Sequence, residues 1–341
     1  MLLNFLNIRA NRFFTWRRYP RPMPAVFLTV DTEIAWRHHA AGLPATEIAR
    51  RSFEPGGVGL THHLDMLDRH GLKGVFFIDP LPALVYGLAP IRAAVDTVLA
   101  AGQEVQLHLH PNWAGARGDD RAVVGRFNLW EHDEREQRQL IAAAAELLEA
   151  AGAPTPTAFR AGSYAADDAT LSALSRLGFR YDSSHNGAER AVSRVDLPDR
   201  QIAPVRPRAG GGKLIEVPVT TVEERPGRLR TFQPCALSTG EVTAAFDHAV
   251  AECHAAVTIV SHSFELANRA GTRPNHVHLR RFEALCTMLE ARRDELPTCW
   301  FGDQPDLPLD RHDQPLGPDR LRTHWRQAEQ LWSNWVEERA A

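Results

Sequence analysis

Two imidazoles, His108 and His110, stand two residues apart in the stretch EVQLHLHPNW, Glu104 to Trp113. Val105, Leu107 and Leu109 alternate with Gln106, His108 and His110, the period of two that a strand requires. The alternation puts both histidines on one side, and Pro111, lacking an N–H, ends the ladder. Histidines so placed can hold a divalent metal. In a chain with 16 histidines the pair alone reads first as a rim of ordinary polar residues.

Four more strand ends carry reactive side chains: Asp31-Thr32-Glu33, Phe159-Arg160-Ala161-Gly162-Ser163-Tyr164, Tyr181-Asp182-Ser183-Ser184, and Ser261-His262-Ser263-Phe264-Glu265. Singly, each acid reads as a helix cap and the arginine as a solvated charge. Five polar strand ends in succession point to an enzyme, because parallel α/β folds build their sites at the C-terminal ends of strands.

The elements that must position these residues are short apolar runs alternating with amphipathic helices, the pattern of βα units and a parallel sheet. The predicted strands include Pro24–Asp31, GVFFID, the strand ending at His110, Thr157–Gly162, FRYDSS, Lys213–Val219 and Ala256–His262. Predicted helices cover 59–71, closed by Gly71, then 89–102, 134–152, DATLSALSRLG, TGEVTAAFDHAVAECHA, His276–Leu296 and about Asp319–Arg339. The organisation expected is an α/β barrel over 24–300, a basic and aromatic extension over 1–23, and a tail over 301–341 ending in an amphipathic helix.

Composition narrows the partners. A formal net charge of −3 over 341 residues argues against nucleic-acid binding. The four cysteines form no CxxC pair and read as buried thiols of a reducing compartment. No apolar run is long enough to span a bilayer, and MLLNFLNI is too short for a signal h-region, so a cytoplasmic location is expected. The following RANRFFTWRRYPRP fits two readings equally, peripheral contact of residues 1–22 with anionic lipid at the inner membrane face, or a segment packed on the domain.

Taken in order from Pro24 to Cys299, these stretches resemble the five motifs of the polysaccharide deacetylase family, the NodB-like carbohydrate esterases. The resemblance implies a distorted (β/α) barrel and a metal-dependent hydrolase that removes an N-acetyl or other small acyl group from a sugar or glycan precursor. It assigns Asp31 as base and Glu33 as metal acid, with His108 as the first metal histidine. The family's second histidine stands four residues on, where this chain has Asn112, so His110 takes its place. Arg160 matches the arginine that orients the base, and Ala161-Gly162 replace the usual prolines, leaving an oxyanion N–H to Ser163 or Tyr164. Asp182 is the candidate to orient the acid histidine, which VTIVSHS assigns to His262. The implied cofactor is a divalent ion, zinc first, with cobalt, nickel or manganese as alternatives. Trp113, Trp36 and Phe264 are candidates to stack on sugar faces, or to pack as ordinary aromatics.

The chemistry expected is a water polarised by the metal, deprotonated by Asp31 beside Arg160, with His262 protonating the leaving amine from the opposite side. Rival readings are a deformylase of a lipid-linked amino sugar, a cyclic-amide hydrolase, and a non-catalytic glycan-binding barrel. A two-His-one-carboxylate iron oxygenase would require an all-β fold, which the helical stretches oppose.

Overall fold

Val26, Phe27, Leu28 and Val30 are all fully buried, as a strand covered on both faces requires. They lie in β1 (Ala25–Thr32). The computed structural model of the chain describes residues 23–116 and 125–338. In chain order, β1 is followed by α1 (Trp36–Ala40), α2 (Ala45–Phe53), α3 (Leu60–His70), β2 (Val75–Ile78), α4 (Ala83–Tyr86), α5 (Ala89–Ala100) and β3 (Glu104–Leu109). Next come α6 (Glu134–Ala150), β4 (Ala158–Ala161), α7 (Asp168–Leu177), β5 (Tyr181–Asp182) and β6 (Ile215–Glu216). A hairpin of β7 (Thr221–Arg225) and β8 (Arg228–Thr231) leads to α8 (Thr239–Ala251), β9 (Ala256–His262), α9 (His276–Ala291) and α10 (Arg320–Trp332).

Seven strands pair in parallel in the order β6-β5-β4-β3-β2-β1-β9. The sheet is curled. Arg160 on β4 bonds Thr29 and Asp31 on β1, although β2 and β3 lie between, and only a concave face permits that reach. The two edge strands form no ladder with each other. Instead Thr220 donates its N–H to Thr258 (3.1 Å), and Val260 donates to Phe232 (3.0 Å), so irregular chain closes the seam. The expected strand Lys213–Val219 is reduced to Ile215–Glu216, because beyond it the backbone turns to make these seam contacts. The result is the distorted (β/α) barrel that the motif order implied.

Strand alternation sorts the core into two layers. One packs between sheet and helices, around residues such as Leu28, Val30, Phe76, Leu107 and Phe159. The other fills the concave side with Phe27, Val75, Phe77, Tyr181 and Phe301. Phe301, expected as the first residue of the tail, is fully buried there and stacks on Phe27 at 4.4 Å between ring centroids. Its segment is fixed by Cys299 N–H to Val26 (3.0 Å), and by Phe301 and Gly302 N–H to the Glu104 carboxylate (2.8 and 2.6 Å). Since Val26 and Glu104 begin their strands, this segment stoppers the end of the barrel opposite the reactive residues. Residues 1–22, with their expected lipid contact, lie outside the described residues. All four cysteines are free, with Cys286 buried and the others partly exposed.

Candidate active site

The side chains at the C-terminal strand ends converge. Parallel pairing of β1 with β9 sets Asp31 beside His262, and β3 beside β4 sets His108 beside Arg160. Glu33, just past β1, meets His108 and His110, and one ligand atom from each lies within 4.8 Å of the others. Glu33 Oε2 is 3.2 Å from His108 Nε2 and in direct contact with His110 Nε2. His108 Nδ1 is 2.8 Å from the Arg160 carbonyl, which can only accept, so Nδ1 carries the proton and Nε2 is left as a ligand atom. His110 completes the cluster. Asn112, the family position, lines a separate cavity with Pro111, Ala114 and Leu140.

The electrostatics ask for a cation. Burial alone would push the His110 imidazole down, but Glu33, Asp79 and Asp31 outweigh it and lift it to about 9. Burial would raise Glu33, yet His110 and His108 hold it well below the usual carboxylate range. A proton on His110 balances charge that a divalent ion would balance otherwise. One carboxylate and two imidazoles also match the donors of hydrolytic zinc sites, which leave coordination positions open. The residues present fit a metal.

Arg160 is fully buried and over-determined. Its guanidinium donates to Asp31 Oδ1 (2.6 Å), Thr29 Oγ1 (2.7 Å), the Ser183 carbonyl (3.1 Å) and Ser183 Oγ (3.0 Å), and lies over the Phe77 ring. It therefore holds one oxygen of Asp31 and leaves the other toward His262 Nε2, 4.0 Å away. The expected base and acid are thus register neighbours on adjoining strands, and do not face each other across a substrate gap.

Three placements depart from the sequence reading. Asp182 does not orient His262: it accepts from Ser184 Oγ (2.6 Å) and sits opposite Glu216 on β6. Burial raises both acids, Glu216 well above the ordinary range, and Asp182 Oδ2 and Glu216 Oε2 have no other partner among the described residues, so one proton between them satisfies both. His262 is oriented by Glu265, whose Oε2 lies 3.5 Å from Nδ1 and accepts the His262 N–H (3.0 Å) and Gln233 Nε2 (3.0 Å). Burial lowers the His262 imidazole, but Glu265 and Asp31 prevail and raise it above its ordinary value. Trp113 offers no face to a sugar. It is 1% exposed and packed against Trp36, His39 and Tyr86.

Ser163 and Tyr164 occupy the turn after β4, both in the left-handed region at φ 53° and 60°. Consecutive non-glycine residues there are strained. Ser163 is exposed, whereas the Tyr164 hydroxyl is buried without a hydrogen-bond partner among the described residues, and nearby Asp31 helps burial to raise it. Gly162 before them has a packing role, since a Cβ there would lie 2.5 Å from the His110 ring. Asp79, past β2, was not singled out by the sequence. It is fully buried, accepts from the His110 N–H (3.3 Å) and is pushed up to about 6 by burial. Its signal was the same acid-after-strand pattern as Asp31. Beside His262 opens a cavity of about 460 Å³ lined by Arg37, Gln233, Phe264 and Glu265.

No protein-family model matches the chain, and no curated protein is detectably similar in sequence. Among solved structures, it is similar to a protein of Mycobacterium smegmatis described as a polysaccharide deacetylase, with 19% identity and a TM-score of 0.50 over 83% of this chain and 95% of that one. A second, from Pseudomonas aeruginosa PAO1 and described likewise, is 16% identical with a TM-score of 0.51, over 82% and 88%. The fold is that of the polysaccharide deacetylases. Within the polysaccharide deacetylase fold, Asp31, Glu33, His108, His110, Arg160 and His262 occupy one strand-end cluster here. Asp182 and Trp113 stand outside it.

Proposed function

We propose that the chain is a metal-dependent hydrolase that removes an N-acetyl or similar small acyl group from a sugar or glycan precursor. The observation that carries the reading is Asp31, held by Arg160 on one oxygen and facing His262 with the other, beside the Glu33–His108–His110 cluster. The description of the two structures that share the fold supports a carbohydrate substrate.

Glu33, His108 and His110 would hold the ion, zinc being the first choice for this donor set. A bound divalent ion supplies Lewis acidity, polarising the acyl carbonyl and lowering the pKa of water to about 7. Asp31 takes the proton of the attacking water, with Arg160 fixing the carboxylate so that only one oxygen is available. The strained turn at Ser163-Tyr164 offers a backbone N–H to the oxyanion, a contribution of about 3 kcal/mol in comparable sites. His262, kept protonated by Glu265, donates to the departing nitrogen. Phe264 stacks on His262, carries the Arg37 guanidinium over its ring and lines the open cavity where the sugar would enter.

A screen of acylated sugars with metal-replete protein, scoring acetate and formate separately, tests the reading and distinguishes deacetylase from deformylase. Asp31→Asn is expected to cut kcat by about 10²–10⁴-fold with metal content unchanged. Metal binding with no release from any acylated sugar would favour a glycan-binding barrel instead.

A further inference from the structure

The C-terminal helix is turned inside out. Its inward face is polar: Arg326, 4% exposed, contacts Glu224 and Glu241, Ser333 bonds Asn275 (3.0 Å), and Glu329 pairs with Arg281 (2.7 Å). Its outward face is apolar. Leu321 (82% exposed), Trp325 (66%), Leu331 (70%), Trp332 (60%) and Trp335 (68%) account for five of the seven large hydrophobics exposed among the described residues. Leu321, Trp325, Trp332 and Trp335 fall four, seven and three residues apart, a single stripe along α10 and the wider turn Ser333–Glu337 that continues it. A helix that buries its charges and displays its tryptophans is built to meet something else.

We propose that this stripe docks on an anionic phospholipid surface. The charge distribution selects that occupant. The acids of this segment are engaged: Asp319 caps the helix by accepting the Arg322 N–H, Glu329 pairs with Arg281 and accepts the Trp325 indole N–H, Glu337 is buried, and Glu338 accepts from the Arg269 N–H and Asn275. Beside the stripe the exposed charge is basic, with Arg320 at one end and Arg269 at the other, next to Arg37, which donates to the Arg269 carbonyl and lies over Phe264. Tryptophan with its apolar body and polar N–H belongs to the headgroup layer, and arginine to anionic lipid. The location is informative too. Asn334 and Glu338, flanking Trp335, line the cavity beside His262, so a docked helix holds that mouth next to the lipid surface. The docking stands independently of the hydrolase reading.

The test is co-sedimentation of the full chain with phosphatidylcholine vesicles, with and without phosphatidylglycerol. Partition into the anionic vesicles and loss at high salt are expected, and no binding would overturn the proposal. Combined Trp325→Ser, Trp332→Ser and Trp335→Ser should lower partitioning about tenfold or more, with circular dichroism and melting unchanged. Undiminished binding would place the contact elsewhere, residues 1–22 included, and overturn the proposal. So would a shift from dimer to monomer on substitution without lipid binding by the parent, which would make the face an interface between copies. Should the triple variant not fold, quenching decides: in a Trp16→Phe chain, brominated anionic lipid should quench tryptophan emission, and no quenching defeats the idea.

Discussion

His262 shows how one neighbour sets a working range of pH. As a general acid it acts in the protonated form. Glu265 raises its pKa, so that form persists above the ordinary histidine range, and activity is lost as pH climbs through the raised value. Glu265→Gln removes the carboxylate while burial, which depresses the imidazole, remains. The alkaline limb of kcat should therefore move to lower pH, with about a tenfold loss on that limb for each unit moved. A pH–rate profile that does not shift would remove Glu265 from this role. The sequence made His262 legible, since it closes an unbroken apolar strand. Glu265 was harder to see, because three residues of loop return it to the histidine and no periodicity marks a loop contact. Asp182 was harder to assign for a related reason: its strand has only two residues, and although Glu216 falls in the expected strand Lys213–Val219, no spacing in the sequence pairs the two acids.

At the scale of elements, β3 and the turn after β4 are fitted to each other. His110 projects past the end of β3 into space that exists because residue 162 has no side chain. Gly162→Ala should force the imidazole away from Glu33 and weaken metal affinity about 10–100-fold, the range for disturbed supporting contacts. Competition against a chelator measures it, and an unchanged affinity would mean the ring can move and still bind. Strands β1, β3 and β9 were legible because their alternation or uninterrupted apolarity is long enough to count. The hairpin of β7 and β8 and the short helices α1, α2 and α4 were not. Their few residues hold too little pattern, and tertiary contacts such as Thr220 with Thr258 decide them.

For the whole molecule, the barrel depends on a segment far from the site. Phe301 fills the inner end against Phe27, Phe77 and Tyr181. Phe301→Ala should destabilise the fold by about 3–5 kcal/mol in denaturant titration, with metal affinity nearly unchanged in the folded fraction. A loss under 1 kcal/mol, on the order of a surface substitution, would show that the end is closed by something else. The sequence placed a tail here because proline and charge cluster after it, and composition cannot register that one phenylalanine reaches back into the barrel.

With Phe301 plugging the base of the barrel, in the reaction proposed the substrate enters and both products leave at the strand-end mouth. Added amine should therefore compete with the acylated sugar for that opening.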